Sequence, residues 1–122
     1  GLLTGTLSAD AEFPENDHRN FNREGDAFDV GETFAGVPFE RGLAAVDALE
    51  PLVPEGQSMA QFALRWILDH DAVTAVIPGS ASPEHIRDNV AAADLPRLSA
   101  ARHAGVREVY DEHVRGHVHQ RW

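Results

Sequence analysis

A short apolar run at residues 72–77, with the sequence AVTAVI, constrains the fold of this chain more than any other feature. A run of this length, rich in β-branched residues and almost free of polar ones, is typical of a strand covered on both faces in a parallel sheet. It is the only segment that clearly predicts a strand, and one strand cannot make a sheet. Either the irregular N-terminal part contains further strands, or the partner strands belong to sequence outside this chain.

Two amphipathic helices are predicted before this run, within residues 38–70. The first lies between Pro38 and Pro51, and its apolar residues recur at helical spacing. The second begins at Ser58, because Ser58 and Gln61 form a capping-box pattern. The apolar stripes are Phe39, Leu43, Val46 and Leu49 in the first helix and Met59, Phe62, Ala63, Trp66 and Ile67 in the second.

Two more helices are predicted after the run, at 83–94 and 99–113. Ser82 suits the N-cap of the first, with a proline at its first position, and Ser99 suits the N-cap of the second. The remaining residues, 114–122, indicate a tail that carries arginine and histidine. The residues of the 83–94 helix that we expect to face inward are Ile86, Val90 and Ala93.

The order helix, buried strand, turn and helix is the pattern of an α/β protein. Residues 1–7 are interpreted as the tail of another such strand, which gives two βα units in series. Residues 8–37 lack periodicity and contain prolines and glycines, so they predict a long irregular loop. Phenylalanines are unusually frequent in and next to this loop, which indicates that it is ordered when its target surface is present: Phe13, Phe21, Phe28, Phe34 and Phe39.

Composition excludes several classes of function. The formal net charge of -10 argues against a nucleic-acid binder and against a polybasic membrane anchor. The chain has no cysteine and no lysine, which rules out disulfides, cysteine-bound zinc and lysine chemistry within these residues. No segment approaches a membrane span of about 18 apolar residues, and no signal segment opens the chain, so we expect a cytoplasmic location. The first residue is glycine rather than methionine, which indicates a fragment.

The strongest chemical signal is the turn that follows the apolar run. Gly79 allows close approach to the backbone, and Ser80 adds a hydroxyl where ligands bind in α/β folds. Glu84 and Asp88 oppose a bare phosphate, so a nucleoside is the better ligand, and Asn89 beside Asp88 could pair with an adenine edge. The alternative is that this segment is only a well-capped helix start with exposed polar residues.

Two other groups of residues have side chains that could form a site. Arg19, within the loop, has a guanidinium that can bind phosphate oxygens through two parallel hydrogen bonds, although a solvated loop arginine is an equal alternative. His113 and His117 are spaced to lie on one helix face, as metal ligands often do, with His119 nearby. An exposed tail explains these histidines better, so we predict no metal site. For Tyr110, packing is the favoured role.

Several segments together resemble the C-terminal part of an aldo-keto reductase, a family of nicotinamide-dependent oxidoreductases built on a (β/α)₈ barrel. The segments are GLLTG at 1–5, DHRNF at 17–21, AQFALRWIL at 60–68 and VIPGS at 76–80, with Asp88 and Asn89. The resemblance implies an α/β fragment of a TIM-type barrel, comprising about strands 7 and 8 with their helices and the long loop. It also implies that this loop folds over the pyrophosphate of the cofactor.

The resemblance further implies which residues bind the cofactor. The adenosine end would lie against the turn after strand 8 and the next helix, and Arg19 is the candidate for the pyrophosphate. NADP is the expected cofactor, but NAD is possible, because the turn lacks the basic residue that often holds the 2′-phosphate and has only His85 and Arg87 nearby. The predicted adenosine-site residues are Gly79, Ser80, Ala81, His85, Asp88 and Asn89.

The implied activity belongs to a parent protein. Such an enzyme would reduce aldehydes or ketones with NAD(P)H, whereas the family's catalytic Asp, Tyr, Lys and His have no counterparts in this chain, so we expect it to be inactive alone. The alternative is a nonenzymatic nicotinamide-nucleotide-binding regulatory or interaction module of the same fold. Because its strand edges and apolar faces would lack cover, we expect the isolated chain to self-associate.

Overall fold

The computed structural model describes residues 1–121. Its α-helices are α1 (His18–Phe21), α2 (Phe39–Leu49), α3 (Met59–Leu68), α4 (Pro83–Ala91), α5 (Ala100–Val109) and α6 (Arg115–Val118). Short 3₁₀ turns lie at Leu2–Thr4, Val30–Glu32, Glu50–Leu52, Ala92–Asp94 and His119–Arg121, and a π-helical turn spans Tyr110–Val114. No helix in this part of the chain is long and apolar enough to cross a membrane.

The caps predicted from sequence are confirmed at the starts of α3, α4 and α5. The Ser58 hydroxyl accepts a hydrogen bond from the Gln61 backbone N–H at 3.1 Å, while the Gln61 side-chain oxygen accepts from the Ser58 N–H at 3.1 Å. Ser82 and Ser99 cap α4 and α5 in the same way, each accepting from an N–H in the first turn. These contacts satisfy donors that the helix itself leaves free.

The hydrophobic core lies between α2, α3 and α5. Leu49 of α2, Phe62 of α3 and Leu98, which precedes α5, are buried together. Half-buried side chains pack around them, so Met59, Phe62 and Trp66 of the predicted α3 stripe face this core, whereas only Leu49 of the predicted α2 stripe does. The surrounding residues are Leu52, Val53, Met59, Trp66, Val106 and Val109. Phe39 of α2 packs instead against Phe13 and Phe34 of the loop.

The strand predicted at 72–77 is absent from the structure. Residues 73–80 have no regular secondary structure, no strand occurs anywhere in 1–121, and Ile77 is 98% exposed. Residues 1–7, interpreted as another strand end, contain the 3₁₀ turn Leu2–Thr4 instead. A strand exists only through hydrogen bonds to a neighbour, and no described segment pairs with this one, so most of its residues stay exposed and only Val73 and Val76 are half-buried.

The inward face predicted for the 83–94 helix is also wrong. Ile86 and Val90 are 55% and 65% exposed, and Ala93 is exposed, whereas Ala92 is the residue of this region that is fully buried. The spacing correctly marks one apolar face of α4, but that face has no sheet to pack against. Helical periodicity shows which residues share a face, not whether anything covers it.

The predicted tail at 114–122 is helical as far as the structure describes it. Helix α6 buries Val118, and Arg121 lies 3.8 Å from the carboxylate of Asp29. An added Cβ at Gly36 would lie 2.8 Å from the Arg121 guanidinium, so this end of the chain packs closely on the loop. Trp122, the last residue of the predicted tail, lies outside the described residues.

Candidate functional site

The turn before α4 closes on itself through two serines. The Ser80 hydroxyl donates to the carbonyl of Ser82 at 2.8 Å and accepts from the Ser82 N–H at 3.3 Å, while the Ser82 hydroxyl caps α4. Next to them, a Cβ added to Gly79 would meet nothing within 4 Å, so the backbone there is open to a ligand. Ala81 is exposed in the same turn.

Three of the predicted site residues share one face of α4. His85, Asp88 and Asn89 are three and four residues apart, which places them side by side on a helix surface. His85 and Asp88 are exposed and Asn89 is half-buried, so imidazole, carboxylate and amide groups are presented together. This set offers both donors and acceptors to a base edge or a ribose hydroxyl.

The charges around this face favour a nucleoside over a phosphate. Glu84 lies in the first turn of α4 and Asp88 lies one turn further, and both carboxylates are exposed. They oppose the attraction that the N-terminus of a helix exerts on an anion. The open backbone at Gly79 and the polar face of α4 therefore suit a ligand with hydrogen-bonding groups better than a bare phosphate.

Arg19 is already paired within the loop. Its Nε and Nη2 donate to the two carboxylate oxygens of Asp17 at 2.9 and 2.6 Å, and its guanidinium lies 4.4 Å from the centre of the Phe13 ring. The hydrogen bonds from the Arg19 side chain, followed by that from its backbone N–H, hold the pKa of Asp17 well below its usual range. A phosphate must therefore compete with Asp17 for this guanidinium.

The structure does not bring Arg19 and the α4 face into one cavity. Arg19 lines a cavity of about 620 Å³ between the loop, the first residues and α2, together with Asp17, His18 and Phe34. None of the residues from Gly79 to Asn89 lines it. The segment that leads to the α4 turn, 73–80, is not paired in a sheet and so does not set that turn against the loop.

Sequence reasoning missed the polar centre of the loop, which is Asn22. This residue is fully buried; its amide oxygen accepts from the backbone N–H groups of Ala27 and Phe28 at 3.0 Å, and its NH₂ donates to the hydroxyl of Thr33 at 3.2 Å. Thr33, also buried, is 2.9 Å from a ring nitrogen of His18. The available signal was the asparagine shortly before Gly25, since asparagine bonds to nearby backbone in turns.

A second missed feature is the buried ion pair that ends α3. The Asp69 carboxylate, 3% exposed, accepts from Arg65 Nε at 3.1 Å, from the Leu98 backbone N–H at 2.8 Å and from His103 Nε2 at 3.0 Å. Burial raises the pKa of Asp69, but the hydrogen bonds from Leu98 and His103 and the charge of Arg65 outweigh it, so the pKa is lowered. The signal was an arginine and an aspartate four residues apart at the end of an apolar helix.

The C-terminal histidines do not converge. The Tyr110 hydroxyl lies 2.9 Å from Nδ1 of His119, and His113 Nε2 lies 4.0 Å from the Glu112 carboxylate. Within residues 1–121 no group of three or more histidine, aspartate or glutamate side chains is arranged to hold a metal ion.

Comparison with known sequences decides the family. Residues 1–111 match the sequence profile described as "Aldo/keto reductase family". This chain belongs to the aldo/keto reductase family. It is 39% identical over 115 residues to the L-glyceraldehyde 3-phosphate reductase of Escherichia coli K12, and 37% identical over 115 residues to the protein of that name from Escherichia coli O157:H7. Each match covers 93% of this chain but only 30% of the relative, and no solved structure matches significantly.

Family membership confirms the resemblance drawn from the short segments of the sequence. Aldo/keto reductases are oxidoreductases with a TIM-barrel fold that bind nicotinamide cofactors and carbonyl substrates, so the α/β interpretation has support at the level of the family. The described residues contain helices and no strand.

Proposed function

We propose that this chain is the C-terminal part of an aldo/keto reductase barrel and that it binds the adenosine end of NADP, or of NAD, in an enzyme that reduces aldehydes or ketones. The observation that carries this proposal is the exposed face of α4 next to the open backbone of Gly79. It supplies hydrogen-bond donors and acceptors, including a carboxylate, in a family that uses a nicotinamide dinucleotide.

Each residue of the site has a distinct role in this proposal. Gly79 and Ala81 leave room for close approach, and Ser80 orders the turn through its two hydrogen bonds. His85, Asp88 and Asn89 bind the base and ribose. Arg19 binds the pyrophosphate when the phosphate oxygens replace Asp17 as its partner. The bound nicotinamide supplies the hydride, and the residues of this chain hold the cofactor rather than move protons on the carbonyl.

The proposal includes strand 7 at residues 1–7 and strand 8 at 72–77 when the barrel is complete. The exposure of Ile77 supports this, because an apolar β-branched run has no reason to remain in water. Hydrogen exchange on the gene product that carries this sequence should show slow amide exchange over 72–77. Fast exchange there would contradict the assignment. The chain expressed alone should form oligomers in size-exclusion chromatography, since the backbone edges of the segments 1–7 and 72–77 have no partner strand in residues 1–121.

Cofactor binding is tested by fluorescence titration of NADPH into the gene product. Asn89→Ala and His85→Ala should each weaken binding about 3–10-fold, as expected for the loss of one hydrogen bond. Arg19→Ala should weaken it more, because a charged contact is lost. Arg115→Ala is the matched control, since Arg115 also pairs with an aspartate, Asp111, but does not line the cavity that contains Arg19. Unchanged affinity in all three site variants would refute the proposal.

Turnover is tested separately. NADPH oxidation should be observed for the gene product with a panel of aldehydes that includes L-glyceraldehyde 3-phosphate, the compound named for the two relatives. The 122-residue chain alone should show none, because it supplies no lysine to a catalytic group. NADPH binding by the gene product without any turnover would instead support a regulatory or interaction module.

A further inference from the structure

One segment of the family resemblance, AQFALRWIL at 60–68, has no role in the proposed site. Its two polar side chains, Gln61 and Arg65, are four residues apart and therefore lie on one face of α3. Asp69 follows after another four residues, directly beyond the end of the helix. These three residues form a polar stripe beside the apolar stripe that faces the core.

The polar stripe binds the backbone of the α4 region at two levels. Gln61 Nε2 donates to the carbonyl of Asp88 at 3.3 Å, inside α4. Arg65 Nη1 donates to the carbonyls of Ala93 at 3.0 Å and Leu95 at 3.4 Å, just beyond the end of α4. Carbonyls at the end of a helix have no partner in the helix itself, so Arg65 satisfies groups that would otherwise be orphaned.

Asp69 fixes Arg65 in this position. Arg65 is buried, and its Nε is held by the Asp69 carboxylate, which also accepts from the Leu98 N–H before α5. A single ion pair thus joins the end of α3, the end of α4 and the start of α5.

Apolar packing contributes little to the position of α4. Its large apolar side chains, Ile86 and Val90, are mostly exposed, and Ala92 beyond its end is the buried residue of this region. The polar contacts from α3, together with the burial of Ala92 beyond the helix end, therefore hold the helix in place. One of them holds the carbonyl of Asp88, which is itself a residue of the proposed adenosine site.

We infer that Gln61 and Arg65 are positioning residues that hold α4 for the adenosine half of the cofactor. The inference rests on the proposed function of α4. Neither residue need touch the cofactor, so their effect should follow the half of the cofactor that contacts α4 and should spare the nicotinamide half.

Gln61→Glu is the sharpest variant. Glutamate keeps the oxygen that accepts from the Ser58 N–H and so preserves the capping box, but it has no NH₂ to donate to Asp88. Gln120→Glu is the matched control. Gln120 also donates to a backbone carbonyl, that of His117, but it lies near the C-terminus and makes no hydrogen bond to α4. Arg65→Lys keeps the charge beside Asp69 but cannot bind the carboxylate and two carbonyls at once.

The three variants are made in the gene product that carries this sequence, and each is titrated with NADPH and with 2′,5′-ADP, which contains only the adenosine half. Gln61→Glu should raise both dissociation constants about 3–10-fold, and Arg65→Lys at least as much. Gln120→Glu should leave them unchanged. Turnover with dihydronicotinamide mononucleotide, which lacks the adenosine half, should be the same in Gln61→Glu as in the wild type.

The outcomes separate this inference from the function on which it rests. Unchanged 2′,5′-ADP affinity in Gln61→Glu, together with weaker binding in Asn89→Ala, would overturn the positioning role and leave the adenosine site standing. Equal losses with NADPH and with the mononucleotide would show a general structural role and also overturn it. If Asn89→Ala and His85→Ala bind 2′,5′-ADP as the wild type does, both proposals fail.

Discussion

The loop at 13–37, in which the four-residue α1 is the longest regular element, and the segment at 71–82 are stabilised very differently. In the loop, Asn22 and Thr33 are buried and hydrogen-bonded, and the ring of Phe34 stacks on that of Phe39, at the start of α2, at 4.9 Å. In the segment, Ile77 is almost entirely exposed, and the side-chain contacts lie at its ends, at Asp71 and at the two serines of the turn.

This difference shows what irregular backbone needs in order to be fixed. A loop can satisfy its own backbone through a buried amide side chain, because the partners lie only a few residues away. A β-branched strand cannot, because its backbone partners must come from another strand. The loop therefore encloses a small core of its own, while the segment leaves its apolar residues for a surface that residues 1–121 do not provide.

The largest effect on stability is expected at the buried ion pair between Arg65 and Asp69, which precedes the exposed segment. Asp69→Ala removes the partner of buried Arg65 and should lower the free energy of unfolding by about 3–5 kcal/mol, as loss of one member of a buried ion pair does. Urea denaturation measures this. Asp71→Ala is the control, since its pair with Arg97 is exposed and should contribute less than about 1 kcal/mol. Equal losses of stability in Asp69→Ala and Asp71→Ala would show that the buried ion pair of Asp69 contributes no more than an exposed one.

Removing the hydrogen bonds of Asn22 at the centre of the loop should lower the free energy of unfolding somewhat less. Asn22→Ala leaves the N–H groups of Ala27 and Phe28 without their acceptor and should cost about 2–3 kcal/mol. Asn20→Ala, an exposed asparagine of the same loop, should change stability by less than about 0.5 kcal/mol. A small effect of Asn22→Ala in the same urea titration would mean that aromatic packing alone orders the loop.

Lowering the pH should weaken the ion pair between Arg65 and Asp69. The pKa of Asp69 is lowered in the folded chain, so its contribution to stability is present above the ordinary value of 3.8 and is lost as the pH falls through the lowered pKa. Stability measured between about pH 5 and pH 2 should fall less steeply in Asp69→Asn than in the wild type. If the stability of Asp69→Asn and of the wild type falls equally steeply with pH, the lowered pKa of Asp69 would be contradicted.

A gain in stability is expected at the strained turn of the loop. Phe34 and Ala35 have φ values of 49° and 56°, a region that disfavours residues with a Cβ. Ala35→Gly should therefore raise the free energy of unfolding by about 0.5–1 kcal/mol. Ala44→Gly, inside α2, should lower it by about 1 kcal/mol. A loss of stability in Ala35→Gly would show that this backbone is not strained.

The smallest effect is expected in the exposed segment itself. At concentrations where the 122-residue chain is monomeric, Ile77→Ser should change its stability by less than about 0.5 kcal/mol, because the side chain is then in water. Phe62→Ala in the core should cost about 3–5 kcal/mol in the same thermal or urea experiment. Made in the gene product, Ile77→Ser should become costly if 72–77 is covered there as a strand, and an equally small effect there would contradict that strand.

The local features of the fold could be predicted from sequence because their causes are local. The capping box at Ser58 and Gln61 depends on four consecutive residues, and the apolar stripes of α2 and α3 depend on helical spacing alone. The family could be identified because several short segments occur in order along the chain. The residues proposed for the adenosine site followed from that order and remain a proposal.

The remaining features depend on contacts between residues far apart in the sequence. No sequence pattern fixes the partner of Arg65 in its hydrogen bond to Ala93. The same is true of the residues that bury Val118 and Asn22. The pairing of Arg19 with Asp17 is local, but its consequence for a phosphate was visible only once both side chains were placed.

The starts of the helices and their apolar faces can be predicted from the amino-acid sequence, since capping and periodicity act over a few residues, and the family follows from the ordered segments. Whether an apolar face is covered, and which side chain holds which helix, is fixed by the packing of distant segments. The physical reason is that burial and hydrogen bonding need a partner in space, and a pattern such as AVTAVI specifies the need for that partner without supplying it.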